Sequence, residues 1–210
     1  MAHFDLHEQE QLTKIKYFWR DWGKYIVAIV VVALIAYVSD VLWVANATSN
    51  ATKAAVIYSQ VNDAANAKDK NKVYKLTDNL KNKYSRVEYT AMASIIAAKV
   101  AIDAKDMDKA SAYLEWIIKK ATDKGLVAIA MLRLADVYID QKKFDLAHTT
   151  LMQDHDASFD SLFYAKRGDL YVAQGDLVKA RDAYKAGIDK AGQDQNMAGS
   201  IQMKLDVLGG

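Results

Sequence analysis

From Tyr25 to Val38 the chain reads YIVAIVVVALIAYV, fourteen apolar or aromatic residues without a charge, and after Ser39 and Asp40 it resumes as VLWVA. As a helix rising about 1.5 Å per residue, the twenty residues from Tyr25 to Val44 cover roughly 30 Å, the thickness of a bilayer's hydrocarbon core. Three fates are open to such a segment: it spans a membrane as a retained anchor, it is cleaved as a leader, or it is buried as one helix of a soluble hairpin. Asp40 does not forbid the first. It lies within two turns of the far end, where a carboxylate reaches headgroups and water far more cheaply than at mid-bilayer.

The flanks favour the membrane. Lys14, Lys16, Arg20 and Lys24 precede the span, with Asp21 the one acid close by, and the next base is Lys53. By the positive-inside bias these four bases predict a cytoplasmic N-terminus and an exported remainder. Tyr17, Phe18, Trp19, Trp22 and Tyr25 gather at one edge, and Tyr37 and Trp43 lie toward the other, as aromatic belts do. Ala45-Asn46-Ala47 has the small-x-small form of a leader-peptidase site. Such a leader would run to about 47 residues, well beyond the usual 15 to 30, so a retained anchor is expected. The sequons at Asn46 and Asn50 are read as chance triplets. The division expected is a cytoplasmic tail at 1–24, an anchor at 25–44 and an exported domain at 45–210.

Beyond the span the chain has no proline, and apolar residues recur at three and four, which predicts helix throughout. Short polar breaks such as TDKG near Asp123 and QGD near Gly175 separate segments of helical length. Ser85 followed by Glu88 reads as a capping box, and Asp176 as an N-cap. An internal repeat is the more telling signal. With AKRGDLYVAQGDLVKARDAYKAG (from Ala165) set beneath LRLADVYIDQKKFDLAHTTLMQD (from Leu132), Gly168 falls under Ala135, Tyr171 under Tyr138, Ala180 under Ala147 and Tyr184 under Leu151. Each pair is 33 residues apart. Small residues recur where two helix backbones would approach, and bulky ones where a neighbour would be plugged. In IIAAKVAIDAKDMDKASAYLEWI, Ala98, Ala101, Ala110 and Leu114 hold the same relative places. Upstream the match decays, so 52–83 reads as a degenerate copy at best. Met197, Ile201, Leu205 and Leu208 form one apolar stripe, read as a helix capping the stack. The fold class expected is all-α: one transmembrane helix, then a tetratricopeptide-like solenoid of helical hairpins with a C-terminal capping helix.

Composition narrows the function classes. A formal net charge of +2 over 210 residues, with no block of five or six bases, argues against nucleic acid as a partner. The chain has no cysteine, hence no disulfide framework, thiolate zinc site or thiol nucleophile. No Walker loop, G-x-S-x-G or H-E-x-x-H is present. His3 and His7 lie one turn apart but on a polar terminus without a third ligand, and His148 and His155 read as solvated. No cofactor, metal or catalytic residue is expected. If the solenoid forms, its first helices line a groove, and Leu132, Asp136, Ile139, Ala165, Asp169 and Val172 are the positions expected to face it. Their mixed apolar and acidic character suits a peptide or helix.

The wording LRLADVYIDQKKFDLAHTTL, then RGDLYVAQGDLVKARDAYKAGI, the terminal IQMKLDVL and the FWRDWGKYI approach to the span resemble the ancillary SecYEG translocon subunit family, the YfgM-type inner-membrane proteins of Gram-negative bacteria. That resemblance implies a non-enzymatic inner-membrane protein with a periplasmic domain beside the Sec translocon. It also implies a membrane-anchored, peptidyl-prolyl-isomerase-like chaperone as partner, and contact with unfolded secreted proteins as they emerge. The residues by themselves leave two other classes open: a scaffold organising another envelope complex, and an anchored enzyme whose site carries no motif.

Overall fold

The computed structural model describes residues 6–209, with side chains described from residue 12 onward. The chain divides into two units, Met1–Ser49 and Asn50–Gly210, and helix α1 (Leu6–Asn66) contributes to both.

In the first unit the large apolar side chains stand out from the helix, Ile29 at 68% and Trp43 at 69% exposure. The most apolar 18-residue window reaches a mean hydropathy of 2.5, and none of it is buried. The core helix of a soluble hairpin would be mostly buried, and this window is not. By length and composition the helix is able to cross a membrane. Arg20 lies over the Tyr17 ring at 4.7 Å and Lys24 over Tyr25 at 5.1 Å, so both bases rest against aromatic faces at the edge of the apolar run.

The second unit is a stack of helical hairpins. The end of α1 turns into α2 (Lys70–Lys83). Helix α3 (Glu88–Asp103) pairs with α4 (Met107–Lys120), and α5 (Lys124–Asp140) with α6 (Phe144–Leu151). After a 3-10 turn at Ala157–Phe159, α7 (Asp160–Gln174) pairs with α8 (Leu177–Ala191), and α9 (Gln195–Val207) packs on α8. Each hairpin turns on one left-handed residue: Lys68, Lys105 and Lys142 at φ 56°, 59° and 56°, and Gly175 at φ 82°. The next residue's N–H reaches back five positions to close the preceding helix: Asp69 to Ala64, Asp106 to Ala101, Lys143 to Tyr138 and Asp176 to Tyr171, at 2.8–2.9 Å. In three of the four turns that same residue is an aspartate whose carboxylate caps the next helix, on Lys72, Lys109 and Lys179 N–H. Asp176 therefore caps α8 as its sequence position indicates.

Aligning the hairpins on these turns explains the alanines. The residue seven before the turn is Val61, Ala98, Ala135 or Gly168, and the one five after it is Val73, Ala110, Ala147 or Ala180. All eight are buried. Small side chains there let the paired helices approach closely enough to exclude water. Tyr138 is 9% exposed and Tyr171 is half-buried, each four residues before its turn. The segment 52–83 is thus a full hairpin in the same register. Val61, Val73 and the buried Thr77 replace the alanines and bulky residue of the later copies, which is why the match decays by identity while the geometry persists.

Two local expectations are corrected. Ser85 and Glu88 form no capping box: the N-cap of α3 is Val87, without a side-chain cap, and Thr90 Oγ1 donates to the Tyr84 carbonyl at 2.7 Å. His155 is not solvated. Its ring stacks on Phe163 at 3.6 Å with an interplanar angle of 5°, and its Nε2 lies 3.3 Å from Asp160. His148 is exposed. His3 and the side chain of His7 lie outside the described residues. At the far end Ile201 and Leu205 are buried at 2% and 4%, with Met197 and Leu208 packed beside them. Burying two such side chains contributes about 1.5–3 kcal/mol each, enough to hold α9 on the stack.

Candidate protein-interaction face

The first helices of successive hairpins touch, α3 against α5 and α5 against α7, so residues at matching positions form a continuous face. Ten, six and three residues before each turn the chain places Ile95, Lys99 and Ile102 on α3, Leu132, Asp136 and Ile139 on α5, and Ala165, Asp169 and Val172 on α7. Leu132 and Ile139 are half-buried against the main core, as are Ile95 and Ile102. Ala165 is 7% exposed and packs within the second core cluster, whereas Val172 is 38% exposed.

The two aspartates belong to a ladder of charges that crosses the helices. Lys166 Nζ on α7 lies 2.6 Å from Asp136 Oδ1 on α5 and 3.2 Å from Asp169 Oδ2. Lys204 on α9 reaches Asp169 Oδ1 at 2.7 Å, and Tyr184 Oη on α8 donates to the same carboxylate at 2.9 Å. Burial disfavours the Lys166 ammonium, but Asp136 and then Asp169 outweigh it and raise its pKa. Burial, then the hydrogen bond to Asp169, raises that of Tyr184. Sequence reasoning placed Asp136 and Asp169 on this face but missed Lys166, Tyr184 and Lys204. The signal was present: Lys166 sits nine residues before its turn, and only the alignment of helices shows that this position meets the carboxylate of the preceding layer.

Tyrosines and carboxylates pair elsewhere too. Tyr113 Oη donates to Asp78 at 3.2 Å and Tyr138 Oη to Glu115 at 2.8 Å. Burial and the Glu115 bond push the Tyr138 hydroxyl up to about 12. Asp160 is held low, mainly by its hydrogen bond from Lys190. These shifts move groups away from neutrality and lock them in their usual charge states, the reverse of what a general acid or base needs. Among the described residues no group of three or more His, Asp or Glu side chains is placed to hold a metal. A cleft of about 310 Å³ lies where Arg86, Glu88, Trp116, Lys120 and Asp123 meet between the ends of α2 and α4 and the starts of α3 and α5.

Residues 16–210 match the tetratricopeptide repeat-like domain family. The chain is 32% identical over 204 residues to the ancillary SecYEG translocon subunit of Neisseria gonorrhoeae, covering 97% of this chain and 98% of that one. It is 26% identical to the protein of the same name from Escherichia coli, over 96% of this chain and 97% of that one. With the relative from Aggregatibacter actinomycetemcomitans, also of that name, the identity is 25% over 98% and 99%. With relatedness running nearly end to end and the hairpin stack observed, this chain belongs to the ancillary SecYEG translocon subunit family of tetratricopeptide repeat-like proteins.

Proposed function

We propose that this protein is a non-enzymatic accessory subunit of the Sec translocon, held in the bacterial inner membrane by residues 25–44. The tail at 1–24 lies in the cytoplasm and the domain at 45–210 in the periplasm. The observation that carries the reading is the near-full-length similarity to proteins named as ancillary translocon subunits. Lys14, Lys16, Arg20 and Lys24 supply the charge bias for the orientation.

In this reading the span is a tether. Holding a helical-repeat face within a few nanometres of a translocon exit raises its effective concentration toward millimolar, so weak contacts become occupied without a large buried interface. The ligands are emerging secreted chains or a membrane-anchored, peptidyl-prolyl-isomerase-like chaperone. Deleting residues 1–44 tests the tether. The expected product is a soluble helical domain that no longer co-purifies with the translocon, and near-normal co-purification of that domain would overturn the reading. Site-specific cross-linking from Val172 in intact membranes separates the translocon from another envelope complex.

A further inference from the structure

The charge ladder of the hairpin stack is broken at one layer. The carboxylate six residues before a turn meets the ammonium nine residues before the next turn where Asp136 meets Lys166 at 2.6 Å, and in the following layer Asp169 is met by Lys204 of the closing helix at 2.7 Å. One layer earlier the matching positions are Lys99 on α3 and Arg133 on α5, two helices that touch. Both residues are exposed, and among the described residues neither has an ion pair or hydrogen bond. The acids one turn along do not serve them: Asp136 is taken by Lys166, and Asp103 pairs with neither base. Where the next layer holds an acid and a base at these two positions, this layer holds two bases.

The surroundings bear on what fills the gap. Ile96 lies one turn before Lys99, and Met92 and Ile129 lie one turn further along the same face. All three are half-buried, so apolar surface borders the two bases. We propose that the α3–α5 layer binds a protein segment that places an aspartate or glutamate between Lys99 and Arg133 and lays apolar side chains against Met92, Ile96 and Ile129. The incoming carboxylate completes the pairing that the chain supplies for itself downstream. Arg133 offers a planar fork to it and Lys99 a point charge. This rests on the reading of the domain as a docking module and adds the chemistry of the ligand.

The test uses the full chain in a non-ionic detergent and a fluorescent twelve-residue peptide whose leucines and glutamates share one helical face. Its counterpart carries glutamine at every glutamate. The glutamate peptide is expected to bind about tenfold or more tightly than the glutamine one, with the difference shrinking as salt is raised. Lys99→Asp is expected to abolish that preference while leaving the unfolding temperature unchanged or higher, since it puts an acid at the position that Asp136 holds in the next layer. Lys185→Asp makes the same charge change on α8 and is expected to leave binding intact. Equal affinity for the two peptides, an unchanged preference in Lys99→Asp, or an equal loss in Lys185→Asp would each overturn the inference. Translocon co-purification of the wild-type chain is measured in parallel. If it persists without a peptide preference, only the acidic-ligand inference falls; if it is absent, the Sec-associated reading falls and the peptide result stands by itself.

Discussion

Gly168 on α7 faces Tyr184 on α8 so closely that a Cβ on Gly168 would overlap the tyrosine ring, with even the ring's Cζ only 2.8 Å away. The ring has little freedom to retreat, because its hydroxyl donates to Asp169 at 2.9 Å. In the preceding hairpin the same two positions hold Ala135 and Leu151, both buried. Where the first helix gives up a methyl group, the second gains a ring. Gly168→Ala is therefore expected to destabilise the domain by about 1–3 kcal/mol. Adding Tyr184→Leu, which recreates the upstream pair, is expected to recover part of that loss. A double-mutant cycle by urea unfolding checks it, and additivity of the two substitutions would show that the contact is not the cause.

The third hairpin turn is the one built without an aspartate cap. Lys143 stands where Asp69, Asp106 and Asp176 stand in the others, and α6 begins with no side-chain cap. Lys143→Asp is expected to stabilise the domain by about 1 kcal/mol, the usual worth of an N-cap. A thermal-unfolding midpoint that fails to rise would mean the turn is held by its backbone bonds alone.

Depth in the apolar span sets the tolerance for charge. Val31→Arg, near the middle of the run, adds about 2.5–3.5 kcal/mol to insertion. It is expected to shift the chain into the carbonate-extractable fraction. Asp40→Arg, nearer the far end, is expected to leave the chain in the membrane pellet. Equal behaviour of the two variants would refute a span centred on the apolar run.

Alkaline pH probes the tyrosine–carboxylate pairs. Tyr138 is raised from 10.0 to about 12 by burial and by its bond to Glu115. A group whose pKa rises on folding stabilises the fold below its unfolded value and loses that contribution as pH climbs through its folded value. Stability is thus expected to fall between about pH 10 and 12. Tyr138→Phe removes one share of the fall, so its unfolding midpoint is expected to decline less steeply over that window than the wild type's. Tyr113 and Tyr184, raised in the same direction, keep the rest.

Much of the architecture was legible because it rests on local rules. The 33-residue spacing from Ala135 to Gly168 and from Ala147 to Ala180 marks helix pairs whose backbones must come close, and all four side-chain positions are buried. The first hairpin escaped because Val61, Val73 and Thr77 satisfy the same packing with different side chains, so identity failed where volume and burial did not. Ser85-x-x-Glu88 misled for a related reason. A capping box is a local option, and the bond from Thr90 to Tyr84 six residues away settled the start of α3 instead.

By itself the sequence determined what depends on near neighbours: an apolar run of spanning length with bases at one flank, helix nearly throughout, and a repeating small-residue register. Only the tertiary structure decided which distant side chains meet. Asp136 finds Lys166 thirty residues away, and Asp169 finds Lys204 thirty-five away. Periodicity along one helix tells which face a residue is on. The partner across the gap depends on how far the next hairpin is displaced, and only close packing of the whole stack sets that displacement.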